Sequence, residues 1–175
     1  VTLIFALNAC GASMDYNHSP NFNSSLNRFQ HPDGDLSNKK PSEIFAVIRE
    51  FSKRKYDQSE QDGFPVEFSG QDEISTFSES VMWIGQSTIL LNHKGLTVLT
   101  DPQFSNRASP LFFGGPKRVT PTPFKIEDLP DIDVVLISHN HYDHLDRSSI
   151  KDLIKHQPLI KFMVPLGLAQ TLRKW

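Results

Sequence analysis

Short apolar runs separated by turn residues dominate the C-terminal half of the chain. Runs at 81–84 and 87–91 are followed by a turn at 93–95 and a returning run at 96–100. Runs rich in β-branched and aromatic residues and bounded by Gly or Pro predict β-strands. The pattern therefore predicts an antiparallel hairpin whose last strand brings Asp101 to the edge of a sheet.

Strand and helix patterns alternate in the last third of the chain. A buried strand is predicted at 133–137, a helix capped by Asp146 follows it, and another short strand is predicted at 161–164. The apolar face of that helix is expected to comprise Ile150, Leu153 and Ile154. Such alternation predicts a layered α/β fold.

The N-terminal part has weaker periodicity. Residues 11–40 are rich in Ser and Asn, as expected of a polar tether. A helix is predicted to begin near Ser42, because apolar residues then recur at helical spacing. These apolar positions are Ile44, Val47, Ile48 and Phe51. The hypothesis therefore divides the chain into a signal at 1–10, a tether at 11–40 and a folded domain at 41–175.

Residues 1–10 form an apolar run that ends in a small residue and Cys10. This run resembles the lipobox of bacterial lipoproteins, in which the signal is removed and the cysteine is lipidated. The resemblance implies membrane anchoring through Cys10 and a location in the bacterial cell envelope, on the periplasmic face. The alternative is an N-terminal core strand with a buried free cysteine, in a cytoplasmic protein.

Composition narrows the classes of function. The chain has 175 residues, 22% charged residues and a net charge of −2, which fits one globular domain without a basic block. A dedicated nucleic-acid partner is therefore not expected. A single cysteine excludes an intramolecular disulfide and a cysteine-rich zinc site. Nothing in the composition indicates the oligomeric state.

A cluster of metal-ligand residue types directly follows the predicted strand at 133–137. It contains His139, His141, Asp143 and His144. In an extended segment, residues two apart point the same way, so the first two histidines can bind one ion, and the other two ligands can approach from a second direction. Imidazole and carboxylate suit zinc, or another divalent ion of intermediate softness such as iron. The sequence therefore predicts a two-metal site that activates water for a hydrolytic reaction.

The run at 138–146, SHNHYDHLD, resembles the metal motif of the metallo-β-lactamase superfamily. A closer resemblance, over about residues 81–175, is to the branch of N-acyl-phosphatidylethanolamine-hydrolysing phospholipase D and its bacterial relatives. It rests on this run and on the segments at 83–88, 100–102, 107–110, 115–118 and 129–130. The resemblance implies an αββα sandwich with the site at one edge of its two sheets.

The same resemblance implies a ligand set and a cofactor. His139 and His141 would hold a first zinc ion, Asp143 and His144 a second, and Asp143 would act as the catalytic group beside the bridging water. Relatives commonly have His where this chain has Gln86. Family members take three further ligands from later strands, so the chain is expected to be the first half of the sandwich and inactive by itself.

The ligand cluster predicts a metal-dependent hydrolase, and the resemblance implies a phosphodiesterase of the phospholipase D-like type that acts on a lipid-like substrate. The alternatives are a lactonase or other hydrolase of the same superfamily, and a non-catalytic metal-binding lipoprotein. Asp101 is expected either to orient a ligand histidine by accepting its hydrogen bond or to form a turn before Pro102. Three loop cations are expected to bind a phosphate head group or to be solvated charges. These cations are Arg107, Lys117 and Arg118.

Overall fold

The computed structural model describes a defined part of the chain, namely residues 15–30, 40, 42–43, 45–46, 49–50, 79–109 and 115–175. The chain divides into two compact units, Leu7–Tyr56 and Asp57–Trp175, the second of which also includes Val1–Ala6. The predicted lipobox and the apolar face of the predicted first helix lie outside the described residues. No helix in the described ranges is long and apolar enough to cross a membrane.

The smaller unit contains a short hairpin within the segment predicted as a tether. Strands β1 (Phe22–Asn23) and β2 (Arg28–Phe29) pair in antiparallel fashion. The rings of Phe22 and Phe29 lie 5.4 and 5.2 Å from that of Tyr16, which is buried. Three aromatic rings thus give this polar segment a small core, which its Ser/Asn-rich composition conceals. Positions 42–43, 45–46 and 49–50 are helical, as predicted.

The larger unit is built on a five-stranded mixed sheet, ordered β3-β4-β5-β6-β7. Its strands are β3 (Glu79–Gly85), β4 (Thr88–His93), β5 (Leu96–Thr100), β6 (Val134–Leu136) and β7 (Lys161–Met163). The β3–β4 and β4–β5 pairs are antiparallel, whereas the β5–β6 and β6–β7 pairs are parallel. The predicted hairpin is therefore the antiparallel half of the sheet, and the later strands extend it in parallel.

Two tight turns connect the antiparallel strands. Lys94 and Gly95 both have positive φ, +50° and +78°, as a two-residue hairpin loop requires. Between β3 and β4, the register shifts at Gly85, whose φ is +142°, and Gln86 follows at +52°. This second turn brings Gln86 out at the edge of the sheet.

The core joins the sheet to helix α1 (Arg147–His156). Leu90, Leu99 and Val135 of the sheet form one cluster with Ile150 and Leu153 of α1, all nearly inaccessible to solvent. The prediction for Ile154 was wrong, because its side chain is 40% exposed. Ser149 of α1 contacts the segment that follows β5, because its hydroxyl accepts a hydrogen bond from the backbone N–H of Phe104. A second helix, α2 (Ala169–Leu172), is short.

The parallel strands end at one edge of the sheet. Thr100 of β5 pairs with Leu136 of β6, and the next backbone N–H, that of Asp101, donates to the Leu136 carbonyl at 2.8 Å. The segments after β5 and β6 therefore leave the sheet side by side. This mixed sheet, with α1 packed on it, agrees with the predicted α/β class and with one part of an αββα sandwich.

Candidate metal centre

Asp101 connects the ends of β5 and β6. Its carboxylate is buried, and Oδ1 accepts from the Ser138 N–H at 2.7 Å while Oδ2 accepts from the Ser138 hydroxyl, also at 2.7 Å. His144 Nδ1 lies 2.9 Å from the same Oδ2. The backbone at Asp101 has a φ of +39°, a left-handed conformation that Asp tolerates better than most residues.

These contacts determine where the histidine protons lie. A carboxylate only accepts, so His144 Nδ1 carries the proton that it donates to Asp101. The Ser138 hydroxyl gives its own proton to Asp101, so its oxygen accepts from His139 Nδ1 at 2.9 Å. Both Nε2 atoms are then left with the lone pair that a metal ligand needs.

The four predicted ligands form two pairs. His139 Nε2 lies 3.0 Å from His141 Nδ1, and His144 Nε2 lies 3.5 Å from Asp143 Oδ2. Two atoms that each lie about 2.0–2.1 Å from one tetrahedral zinc ion are about 3.3 Å apart. The spacing and the donor chemistry of each pair therefore fit one ion. In the described ranges, no group of three or more His, Cys, Asp or Glu side chains is arranged to hold a metal ion.

The surroundings of His139 favour its neutral form. Burial lowers the pKa of His139, and the neighbouring His144 and His141 lower it further, against the smaller opposing effect of the Asp101 and Asp143 carboxylates. The His139 ring centroid lies 4.0 Å from that of His144 and 4.5 Å from that of His141, close enough for both rings to act on the pKa of His139. Neutral imidazole is the form that binds metal.

Gln86 reaches the cluster from the β3–β4 turn. Its side-chain Nε2 donates to Asp143 Oδ2 at 3.0 Å, across 57 positions of sequence. The indole N–H of Trp83 donates to the Gln86 carbonyl at 2.8 Å, although the Trp83 ring itself is 63% exposed.

The three predicted substrate-binding cations lie in the loop between β5 and β6, with different surroundings. Arg107 forms a β-bridge with Lys117, and its Nη1 donates to the Gly115 carbonyl at 2.9 Å. Lys117 is exposed. The half-buried Arg118 donates through Nη2 to the carbonyl and the side-chain oxygen of Gln103, and burial lowers its pKa. Substrate binding by all three remains a prediction.

Two residues with structural roles at the site lie in the segments that carry the resemblance but were not predicted as site residues. Ser138 bridges Asp101 to His139, and its only signal was its position directly before the first histidine. Thr88 is fully buried, and its hydroxyl donates to the Asp101 carbonyl at 2.8 Å and accepts from the Gln103 N–H at 3.1 Å. A buried hydroxyl in a strand can be detected by sequence only as a break in the apolar pattern.

Comparison with known proteins shows which families the chain resembles. Residues 97–175 match the family model described as "Beta-lactamase superfamily domain". Over these residues the chain is similar to the metallo-β-lactamase superfamily. The match begins in β5 and includes Asp101 and all four predicted metal ligands. The predicted family is therefore confirmed.

Individual curated proteins are also similar to this chain. N-acyl-phosphatidylethanolamine-hydrolyzing phospholipase D 1 of Caenorhabditis elegans is 47% identical over 93 residues, covering 53% of this chain and 25% of that protein. A UPF0173 metal-dependent hydrolase of Anaeromyxobacter is 36% identical over 78 residues, covering 44% of this chain and 24% of that protein. The chain thus spans about a quarter of the length of these curated relatives.

A solved structure also resembles the chain. Isothiocyanate hydrolase from Delia radicum gut bacteria aligns with a TM-score of 0.42 and 24% identity, covering 54% of this chain and 36% of that one.

Proposed function

We propose that the full-length protein is a metal-dependent hydrolase with a dinuclear zinc centre, and that it cleaves a phosphodiester in a lipid-like substrate. The metal centre is supported by the two pairs of ligand residues that follow β6. Hydrogen bonds from His139 to Ser138 and from His144 to Asp101 leave the Nε2 lone pairs of both histidines available to a metal ion. Each pair supplies two of the three or four protein ligands of a zinc site. The remaining ligands would come from elsewhere in the full-length protein.

The chain's own residues would bind, orient and hold protons. His139 and His141 would bind one ion, and Asp143 and His144 the other, while Asp101 keeps the His144 ring from rotating. When bound, two such ions supply an activated water and stabilise the negative charge of a phosphoryl transition state. Asp143 is the carboxylate that we propose beside that water.

The substrate class is supported by the relatives rather than by the geometry. The Caenorhabditis elegans relative is named for hydrolysis of N-acyl-phosphatidylethanolamine, a phospholipid. We transfer a phospholipid-like substrate to this protein as a proposal. We propose Arg107 and the exposed Lys117 for the phosphate, because the Arg118 guanidinium donates to three acceptors, on Gln103 and Ser105, whereas Arg107 donates through Nη1 to the Gly115 carbonyl.

A substrate panel on the purified full-length protein tests this proposal. Metal content is measured first, and then hydrolysis of N-acyl-phosphatidylethanolamine vesicles, a nitrophenyl phosphodiester and a set of lactones. We expect about two zinc ions per chain and turnover of the phosphodiesters, both strongly reduced in Asp143→Ala. Lactone turnover without phosphodiester turnover would support the lactonase alternative, and bound metal without any hydrolysis would support a non-catalytic metal-binding protein.

We also propose that Cys10 anchors the protein to a bacterial membrane. This proposal rests on the lipobox-like run at 1–10 alone. Labelling of growing cells with a fatty-acid analogue should modify the wild-type protein and not Cys10→Ser. Equal labelling of the two proteins, or the absence of label from both, would contradict the anchor without affecting the hydrolase proposal.

A further inference from the structure

We propose that Gln86 is a positioning residue for the metal centre, which holds the Asp143 carboxylate toward His144 by donating a hydrogen bond from its side-chain amide. This inference rests on the metal part of the proposed function. It concerns a residue that departs from the histidine expected at this position. The hydrogen bond of 3.0 Å between Gln86 Nε2 and Asp143 Oδ2 is the observation that carries it.

Asp143 has little else to fix it. Its side chain is 39% exposed, whereas that of His144 is 18% exposed and that of Asp101 is 8% exposed. An exposed aspartate samples several rotamers, and only some of them direct the carboxylate toward its partner ligand. The Gln86 amide contacts the same oxygen, Oδ2, that lies 3.5 Å from His144 Nε2. The donated hydrogen bond therefore selects the rotamer in which both ligand atoms face one position.

The turn that carries Gln86 is itself held in place. Gly85 has a φ of +142°, which favours glycine, and a Cβ there would lie 3.1 Å from Arg118 Nη1. The backbone thus passes close to the half-buried guanidinium of Arg118, which hydrogen-bonds to Gln103. On the other side, the Trp83 indole holds the Gln86 carbonyl at 2.8 Å. These contacts fix the backbone on both sides of Gln86, and its side chain reaches Asp143 from that fixed position.

The chemistry of an amide suits this role. The Nε2 group is a neutral donor, so it can fix the carboxylate while leaving its negative charge available to a metal ion. Removal of a residue that hydrogen-bonds to a metal ligand and orients it typically lowers metal affinity by roughly 10- to 100-fold. We therefore expect Gln86 to act on metal affinity, and on catalysis only through it.

The test is a zinc titration of the full-length protein against a chromophoric chelator. Gln86→Met keeps the length of the side chain and removes the donor, so it should weaken the more weakly bound zinc ion by roughly 10-fold or more. Gln86→Glu should weaken it further, because a second carboxylate repels Asp143. Gln86→His retains an N–H donor and should lie closer to wild type. Gln170→Met, the same substitution at an exposed position in α2, is the matched control and should leave both zinc affinities unchanged.

A second measurement does not depend on metal. In chelator-treated protein, NMR should show a nuclear Overhauser contact between the Gln86 side-chain amide and the Asp143 β-protons. Wild-type zinc affinity in Gln86→Met and Gln86→Glu, or the absence of this contact, would overturn the inference. If wild type binds no zinc, the metal part of the proposed function fails, whereas zinc binding that is insensitive to Gln86 contradicts only its positioning role.

Discussion

Asp101 Oδ2 and His144 Nδ1 lie 2.9 Å apart, although 43 positions separate the two residues in sequence. The same carboxylate accepts from both the N–H and the hydroxyl of Ser138. One buried side chain at the end of β5 therefore holds the loop after β6 and one of its histidines. Asp101 can reach this loop because β5 pairs in parallel with β6, which places the ends of both strands at one edge of the sheet.

Substitution of Asp101 should separate its backbone role from its side-chain role. Asn and Gly both tolerate the φ of +39°, but Asn can no longer accept on both oxygens, and Gly has no side chain. We expect Asp101→Asn to retain most of its stability and to lower zinc affinity by roughly 10- to 100-fold. Chelator competition and denaturant unfolding of the full-length protein measure the two quantities.

Asp101→Ala is the informative comparison. Ala loses the same hydrogen bonds and also places a Cβ in the left-handed region, which costs about 1–2 kcal/mol. It should therefore be less stable than Asp101→Gly, despite the greater flexibility of the unfolded Gly chain. Equal stability of these two variants would mean that the backbone relaxes out of the left-handed conformation.

Ser138 should control the tautomer of His139. Removal of the hydroxyl in Ser138→Ala leaves His139 Nδ1 without the acceptor at 2.9 Å, so its proton can move to Nε2. We expect ¹⁵N NMR of the metal-free protein to show a larger fraction of the Nε2–H form. Ser138→Thr keeps the hydroxyl and should behave like wild type. An unchanged His139 spectrum in Ser138→Ala would show that another group sets this tautomer.

Parts of this arrangement follow from sequence and parts do not. The strands, the Lys94-Gly95 turn and the Asp146 cap are encoded locally, because apolar alternation, positive-φ residues and capping side chains act within a few positions. The four-ligand cluster was found because its members lie within six consecutive residues. The contact between Gln86 and Asp143 has no local signal, since it depends on how a turn from β3–β4 meets the loop after β6.

The exposure of Ile154 illustrates the same limit. Helical periodicity placed it on the buried face, but the loop that leaves β5 packs against Ser149 instead. Asp146 reinforces that arrangement, because its Oδ2 accepts from both the Ser149 hydroxyl at 2.6 Å and the Ser105 N–H at 3.1 Å. The buried face of α1 therefore consists of Ser149, Ile150 and Leu153 and leaves out Ile154.

Stability of the metal-free protein should depend on pH through His139. Its pKa is lowered in the folded protein, first by burial and then by His144 and His141, so the folded state binds this proton less readily than the unfolded chain does. As pH falls below about 6.5, the ordinary pKa of His, the unfolded chain takes up the proton first. The stabilisation is therefore complete above that pH and is lost as pH falls through the lower pKa of the folded state.

Unfolding in denaturant at pH 7.5 and at pH 5.5, with chelator present, measures this dependence. His139→Gln should lose less stability between the two pH values than wild type, because Gln does not titrate. Gln170→Met, at an exposed position in α2, changes no titratable group, so it is the control and should keep the wild-type pH dependence. Parallel curves for wild type and His139→Gln would show that this histidine titrates in the folded protein as it does in the unfolded chain.

Thr88 should contribute to stability through its two buried hydrogen bonds rather than through its size. Thr88→Val preserves the shape of the side chain but strands the Asp101 carbonyl and the Gln103 N–H, each of which costs about 1–3 kcal/mol when it is buried without a partner. Thr88→Ser keeps the hydroxyl and loses only a methyl group, so its free energy of unfolding should fall by about 1 kcal/mol. The midpoint of denaturant unfolding should therefore rank wild type above Ser and Ser above Val. The reverse order for the two variants would mean that the methyl group, and not the hydroxyl, holds the end of β5 against the sheet.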